Sequence, residues 1–273
     1  SEPSFTPDEI LEACKQAKTT PGGLASIMSI AEVPRSGANC KYLDITIEAG
    51  GKKGRPYIRL TNELHSGSIA PLEEADVAAV NAKNPKFPCM RRDKDPSLSV
   101  SKYDCHIPTD EAGNVIGALP DETHLSKYFQ AVEFIQEFVM AEMNARKDAG
   151  KIGIKNSGRP TLPGCLFVTN DRIVPMIQSH VSDDSKVNPG MALPNPITRL
   201  SLKSDRDTKL MKATFYDAAT RTRNPKTGKS ECDILTFDGE PVTAVNVHKI
   251  RRHSRFSTVA GATAVCISKM GIS

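Results

Sequence analysis

At Cys40 the apolar residues take up a period of two. Leu43, Ile45 and Ile47 alternate with Tyr42, Asp44, Thr46 and Glu48, a spacing that fits a strand with one buried face and fits no helix. The alternation stops at Gly50-Gly51-Lys52-Lys53-Gly54, which reads as a hairpin loop, and resumes with Ile58 and Leu60 against Tyr57, Arg59 and Thr61 on the expected return strand. Such a hairpin places Tyr42, Tyr57 and Arg59 on one polar face, beside the loop cations Lys52, Lys53 and Arg55.

Helical signals are fewer. Thr6-Pro7-Asp8-Glu9 combines an N-cap threonine, a proline at the first helical position and a glutamate that completes a capping box. Ile10, Leu11, Cys14 and Ala17 follow at helical spacing, and Thr20-Pro21-Gly22-Gly23 ends the run. Pro71 to Ala82 reads as a short helix. Asp121 to Asp148 reads as the longest, with Leu125, Tyr128, Phe129, Val132, Ile135, Val139 and Met143 recurring every three or four residues and Gly150 as its stop. Short strands are expected at Leu98–Val100, Cys165–Thr169, Ile197–Lys203, Leu210–Asp217, Asp233–Phe237 and Thr258–Lys269. The expected class is mainly β with helices (α+β), one domain over residues 1–273: a barrel or sandwich, of which an OB-type barrel is one member, decorated with an N-terminal helix, one long helix and long basic loops.

Charge is patterned along the chain. The segment Lys83 to Tyr103 carries six cations, Lys83, Lys86, Arg91, Arg92, Lys94 and Lys102, with Phe87 and Tyr103, against Asp93 and Asp95. Residues 199–229 hold nine Lys or Arg, among them Arg199, Lys203, Arg221 and Arg223, against three Asp, and Lys249, Arg251, Arg252 and Arg255 precede Phe256 without an acid. Acids gather in residues 1–13 and 121–148, so a basic side and an acidic side are expected. Cations that meet phosphates and rings that meet unpaired bases are what a single-strand groove requires. The same segments read equally as solvated basic loops, and Phe87 and Phe256 equally as core.

Catalytic patterns are thin. The six histidines make no HExxH pair and no ligand spacing with cysteine. Gly228-Lys229-Ser230 lacks the leading glycine of a phosphate-binding loop, and Gly153 to Gly158 is followed by Arg159-Pro160 in place of Lys-Ser/Thr. No enzyme, metal or cofactor is expected. Seven widely spaced cysteines suggest reduced thiols, and no apolar run approaches the roughly 18 residues that span a bilayer. A reducing interior, cytoplasm or nucleus, is the expected location.

Asn84-Pro85-Lys86-Phe87, Arg92-Asp93-Lys94-Asp95-Pro96, Lys102-Tyr103, Leu193-Pro194-Asn195-Pro196-Ile197 and the closing Cys266-Ile267-Ser268-Lys269-Met270-Gly271-Ile272-Ser273 resemble the single-stranded-DNA-binding proteins of African swine fever virus and its relatives among the large nucleocytoplasmic DNA viruses. The resemblance also touches the opening helix and Asn246 to Lys249 and is collinear over most of the chain. It implies an OB-fold core and binding of single-stranded DNA with little sequence preference, in viral replication, recombination or repair, in the host cytoplasm or nucleus. Surplus apolar stripe on the long helix makes self-association a further expectation, and replication proteins are expected as further partners. An RNA-binding or virion structural protein using the same basic surface is the alternative.

Overall fold

The computed structural model describes residues 2–33, 40–85, 88–108, 110, 115–163, 165–178 and 195–273. The strands are β1 (Ser4–Phe5), β2 (Met28–Glu32), β3 (Cys40–Ala49), β4 (Lys52–Gly54), β5 (Tyr57–Leu64), β6 (Ser97–Ser101), β7 (Ile152–Ile154), β8 (Leu166–Val168) and β9 (Ile177–Gln178). They continue with β10 (Ile197–Ser201), β11 (Thr222–Arg223), β12 (Ser230–Glu231), β13 (Thr236–Phe237), β14 (Glu240–Pro241), β15 (Arg255–Gly261), β16 (Ala264–Ser268) and β17 (Gly271–Ile272). The α-helices are α1 (Pro7–Lys18), α2 (Glu74–Lys83) and α3 (Lys127–Asp148). The fold is mixed α+β, and among the described residues its strands form several small sheets, none closed into a barrel.

Residues cluster in space into two compact units: Ser1–Leu64, Val100–Thr198 and Arg255–Ser273 form the first, His65–Ser99 and Arg199–Ser254 the second. Strands β6 and β10 each run across a unit boundary.

In the first unit, β3 is paired along both edges. β2 runs antiparallel along Leu43–Ile47, while β4 pairs with Ile47–Ala49 and β16 with Cys40–Asp44. The β3–β4 turn is Gly50-Gly51, with φ of +55° and +70°, the pair of positive angles that a two-residue type I′ turn needs. A Cβ on Gly50 would stand 2.8 Å from the Glu9 carboxylate, so small size matters there as much as conformation. The return strand differs from the expectation: it ends at Gly54, and β5 leaves for a second sheet between β1 and β15. Two physical reasons combine. Pro56 has no N–H to extend the ladder, and β16 already occupies the edge of β3 that a longer β4 would need. Tyr42 and Tyr57 therefore lie on different sheets rather than on one hairpin face.

Leu43, Ile45 and Ile47 alternate inward from β3, Ile58 and Leu60 from β5, Val265 and Ile267 from β16, and all are buried. Each such side chain contributes about 1.5 to 3 kcal/mol of burial. The apolar stripe Ile10, Leu11, Cys14 and Ala17 of α1 is buried, and the capping box forms as expected: Glu9 N–H donates to Thr6 Oγ1 (3.2 Å) and Thr6 N–H to Glu9 Oε2 (2.7 Å). Helix α3 packs beside α1, and Lys18–Glu137 (2.7 Å) and Lys127–Asp8 (2.8 Å) bridge the two.

Several expected boundaries move. Helix α3 begins six residues after Asp121, because Ser126 caps it by accepting from Phe129 N–H (3.3 Å), while Asp121 caps a separate 3-10 turn, Glu122–His124. Helix α2 begins at Glu74 rather than Pro71. The strand expected over Leu210–Asp217 is reduced to isolated bridges, and that over Asp233–Phe237 to β13. The stretch Thr258–Lys269 is two strands in two sheets, broken at Ala262-Thr263. All seven cysteines are free thiols.

Ser126 also donates its hydroxyl to Glu63 Oε2 (2.6 Å), and Glu63 is buried. Burial pushes the Glu63 carboxyl above its ordinary 4.5, opposed by that hydrogen bond. A carboxyl whose folded pKa exceeds its unfolded one holds its proton more tightly in the native state. Its contribution is therefore most favourable below the unfolded value and is lost as pH rises through the folded value. Glu63→Gln keeps an acceptor for Ser126 and removes the ionisation. In denaturant titrations the variant should gain stability relative to the parent as pH climbs from below the ordinary carboxyl range to neutrality. A difference that does not change with pH would contradict the raised carboxyl.

Candidate nucleic-acid interface

The positive charge of the chain segregates between the units. The second holds 17 Lys and Arg against 12 Asp and Glu, the first 19 against 20, so the second unit carries a net +5 and the first a net −1. A polyanion is attracted to the second unit by its own field.

In the first unit most of the expected cations are already engaged. Lys52 donates to Glu9 (2.9 Å) and to Ser4 O (2.8 Å) and stands 5.2 Å from the Phe5 ring centre. This ion pair is the main reason the Glu9 carboxyl is held below its usual range. Arg55 pairs with Asp44 and stands 3.6 Å from Glu2. Arg59 donates to Ser4 Oγ (2.8 Å), and Lys102 meets Glu133 (3.0 Å) over the Phe129 ring. Arg255 donates to the carbonyls of Asn62 (2.9 Å) and Asp104. Lys53 has a long, well-exposed pair with Glu48 (3.8 Å), of the kind that contributes almost nothing and is readily exchanged.

The rings of this unit divide likewise. Tyr42 is 40% exposed, and the Cys40 thiol, hydrogen-bonded to its hydroxyl, together with nearby Cys266 pushes its pKa up. Tyr57 is half-buried and lies against Gly261, where a Cβ would come within 3.1 Å of the ring. Tyr103 and Phe256 are half-buried, Tyr103 in a bridge with Leu125.

The second unit is different. Lys83, Lys94, Arg199, Arg221 and Arg251 are exposed, and among the described residues no acid stands at ion-pair distance from any of them. Arg91 faces Glu74 at 3.5 Å, Lys203 faces Asp95 at 3.4 Å, and Lys249 pairs with Asp238. Arg252 donates to Ser66 O (2.8 Å). Lys86 and Phe87 lie outside the described residues, as do Leu193 and Pro194.

A basic hairpin arm stands out in this unit. Its two sides are tied by Leu235 N–H to Phe215 O (2.8 Å), Asp217 N–H to Asp233 O (2.9 Å), and the β11–β12 pairs Thr222 with Glu231 and Arg223 with Ser230. Asn224 forms the tip, its Oδ1 accepting from Lys226 N–H (2.9 Å) and Thr227 N–H (3.2 Å), and Gly228 supplies φ of +68°. Arg221, Arg223, Lys226 and Lys229 are exposed along it. Tyr216, 61% exposed, bridges Ile234, 53% exposed, so an aromatic and an aliphatic side chain share one uncovered step. The acids of the arm are Asp217, Glu231 and Asp233, of which Asp217 caps the Ala218–Thr220 turn and Glu231 accepts from Asn224 Nδ2 (2.8 Å). Tyr216 falls within the strand expected over Leu210–Asp217 and is not among the rings expected to meet bases. The signal was its place between Lys209 and Lys212 on one side and Arg221 and Arg223 on the other.

Arg92 has another role than the one expected. Its guanidinium donates to the carbonyls of Ala70 and Ala244, its Nε is buried without a partner among the described residues, and its backbone N–H donates to Pro71 O (3.0 Å). Burial lowers its pKa, although an arginine stays charged. Arg92 ties three segments of the second unit together, whereas Arg91 next to it makes only an exposed 3.5 Å contact with Glu74. Arg92→Ala should therefore destabilise the protein by roughly 1 to 3 kcal/mol in denaturant titrations, against within about 0.5 kcal/mol for Arg91→Ala. Equal effects would rule out the clamp.

No family model matches the chain. It is similar to proteins of African swine fever virus bearing the name Uncharacterized protein CP312R. In a pig isolate from Kenya the identity is 29% over 98% of this chain and 86% of the relative. In a tick isolate from Malawi it is 29% over 98% of this chain and 84% of the relative.

Proposed function

We propose that this chain binds single-stranded DNA without sequence preference, as a non-enzymatic protein of viral DNA replication, recombination or repair. The observation that carries the reading is the arm of the second unit, one hairpin that carries exposed Tyr216 towards its base and exposed Arg221, Arg223, Lys226 and Lys229 towards its tip, on the unit with net positive charge. Cations on such a surface replace condensed counterions along a phosphate backbone, and an uncovered ring stacks on a base whatever its identity. Paired bases present no faces, so the same surface discriminates against duplex. Lys83, Lys94, Arg199 and Arg251, without an acid at ion-pair distance among the described residues, extend the positive field of the unit without adding base-reading geometry.

The reading brings an OB-type core with it. In the first unit the β3-centred and β5-centred sheets are joined by two adjacent corners, Arg55-Pro56 and Ala262-Thr263, where Ala262 N–H donates to Pro56 O (3.1 Å) and Ile45 N–H to Thr263 O (2.9 Å). Strands that leave one sheet for another at such corners are the way small barrels bend. The resemblance to the viral single-strand binders supports the same architecture.

The test is fluorescence anisotropy with labelled oligo-dT across a salt series, with duplex DNA and RNA of equal length as competitors. Affinity should fall steeply with salt, with about 0.7 counterions released per phosphate contact, and duplex should compete poorly. Arg221→Ala with Arg223→Ala should weaken binding and flatten the salt slope. Tyr216→Ala should cost on the order of 1 to 3 kcal/mol with the slope little changed. A flat salt response, or duplex binding as tight as oligo-dT, would overturn the proposal. Tighter binding of RNA would transfer it to RNA.

A further inference from the structure

Asp104, Cys105 and His124 carry a donor set that their sequence spacing hides. Their ligand atoms, a carboxylate oxygen, a thiol sulfur and an imidazole nitrogen, all lie within 4.8 Å of one another, and His124 Nδ1 is 3.9 Å from Asp104 Oδ1. Zn–S of ~2.3 Å with Zn–N and Zn–O of ~2.0 to 2.2 Å places tetrahedral donors about 3.3 to 3.7 Å apart, so small side-chain rotations suffice. His124 and Asp104 are 51% and 45% exposed and have room to make them.

The backbone beneath the donors is held independently. Tyr103 and Leu125 form an antiparallel bridge, Asp104 N–H donates to His124 O (2.6 Å), and Ser126 N–H donates to Lys102 O (2.7 Å). Buried Asn195 grips the Tyr103–Cys105 segment: its Oδ1 accepts from Tyr103 N–H (3.0 Å), and its Nδ2 donates to Tyr103 O (3.0 Å) and Cys105 O (3.4 Å). Asp121 Oδ1 accepts from Thr123 N–H (3.0 Å) and fixes the turn that ends at His124. A metal site needs donors positioned by a second set of bonds, and these supply it.

We propose that Asp104, Cys105 and His124 bind one divalent transition-metal ion of the zinc class, with water at the remaining position. Thiolate, imidazole and carboxylate together suit zinc and exclude calcium and magnesium, which take oxygen donors. Cys105 binds as thiolate and releases its proton to solvent. Burial first, and then the Asp104 and Asp121 carboxylates, oppose that ionisation in the metal-free protein, and Arg255 favours it. The ion's own charge reverses the balance. The bound ion joins the Tyr103–Cys105 segment to the turn that leads into α3, and so stabilises the start of that helix. The proposal is independent of the nucleic-acid reading.

Cobalt(II) titration of the reduced, chelator-treated full chain tests it. One equivalent should produce a thiolate-to-cobalt charge-transfer band and intense tetrahedral visible bands, and zinc should bleach both. Cys105→Ser should abolish the charge-transfer band, and His124→Gln, at an exposed position, should weaken cobalt affinity roughly tenfold or more. Circular dichroism shows whether each variant is folded. If Cys105→Ser fails to fold, His124→Gln and Asp104→Asn decide. Absence of the band in the parent, its persistence in folded Cys105→Ser, or affinity unchanged in His124→Gln would overturn the site.

Discussion

Strand β3 is hydrogen-bonded along both edges, and the architecture of the first unit follows from that saturation. With β2 on one side and β4 and β16 sharing the other, no further strand can join it except by displacing one of these. The chain therefore leaves the sheet at Pro56 and builds a second around β5. At Ala262-Thr263 the chain crosses back and completes that filling, since β15 pairs with β5 and β16 with β3 although only two residues separate them. The apolar alternation is preserved through both changes of partner, since the side-chain period belongs to the strand and not to its neighbours.

The helices are attached to this frame by polar contacts as well as by their apolar stripes. Glu9 takes part in the capping box of α1 and accepts Lys52 from the β4 side of the hairpin. One carboxylate thus joins a helix N-terminus, where negative charge is favoured, to the strand that needs a counter-ion. Glu63 and Ser126 make the equivalent connection for α3, with the carboxyl buried rather than half-buried. Polar groups removed from water must find partners, so both contacts fix orientation as well as contributing energy.

That economy decides which cations remain available to a ligand. Lys52, Arg55, Arg92 and Arg255 are held by carboxylates or carbonyls within the fold, and a phosphate would have to replace bonds already made. Arg221 and Lys226, on the hairpin arm, have no such partner among the described residues. The difference is invisible to charge counting, because a guanidinium that clamps the backbone and one that faces solvent have the same formula.

The amino-acid sequence by itself determined the local elements: the period-two face of β3, the capping box of α1, the Gly50-Gly51 turn and the apolar period of α3 are all set by neighbours within a few residues. It misplaced the start of α3, where Asp121 and Ser126 are both competent caps and only the pairing of Leu125 with Tyr103 separates their turns. It also assigned Tyr57 to the wrong sheet, because a strand's alternation does not say which edge receives it. Tertiary structure alone decided that Arg92 is a clamp, that Tyr216 is uncovered, and that Asp104 and Cys105 meet His124 across 19 or more positions of chain. The physical reason is that helix periods and turns are governed by steric and hydrogen-bonding rules acting over a few residues. Exposure, pairing and donor clustering depend on which distant segments arrive at the same place.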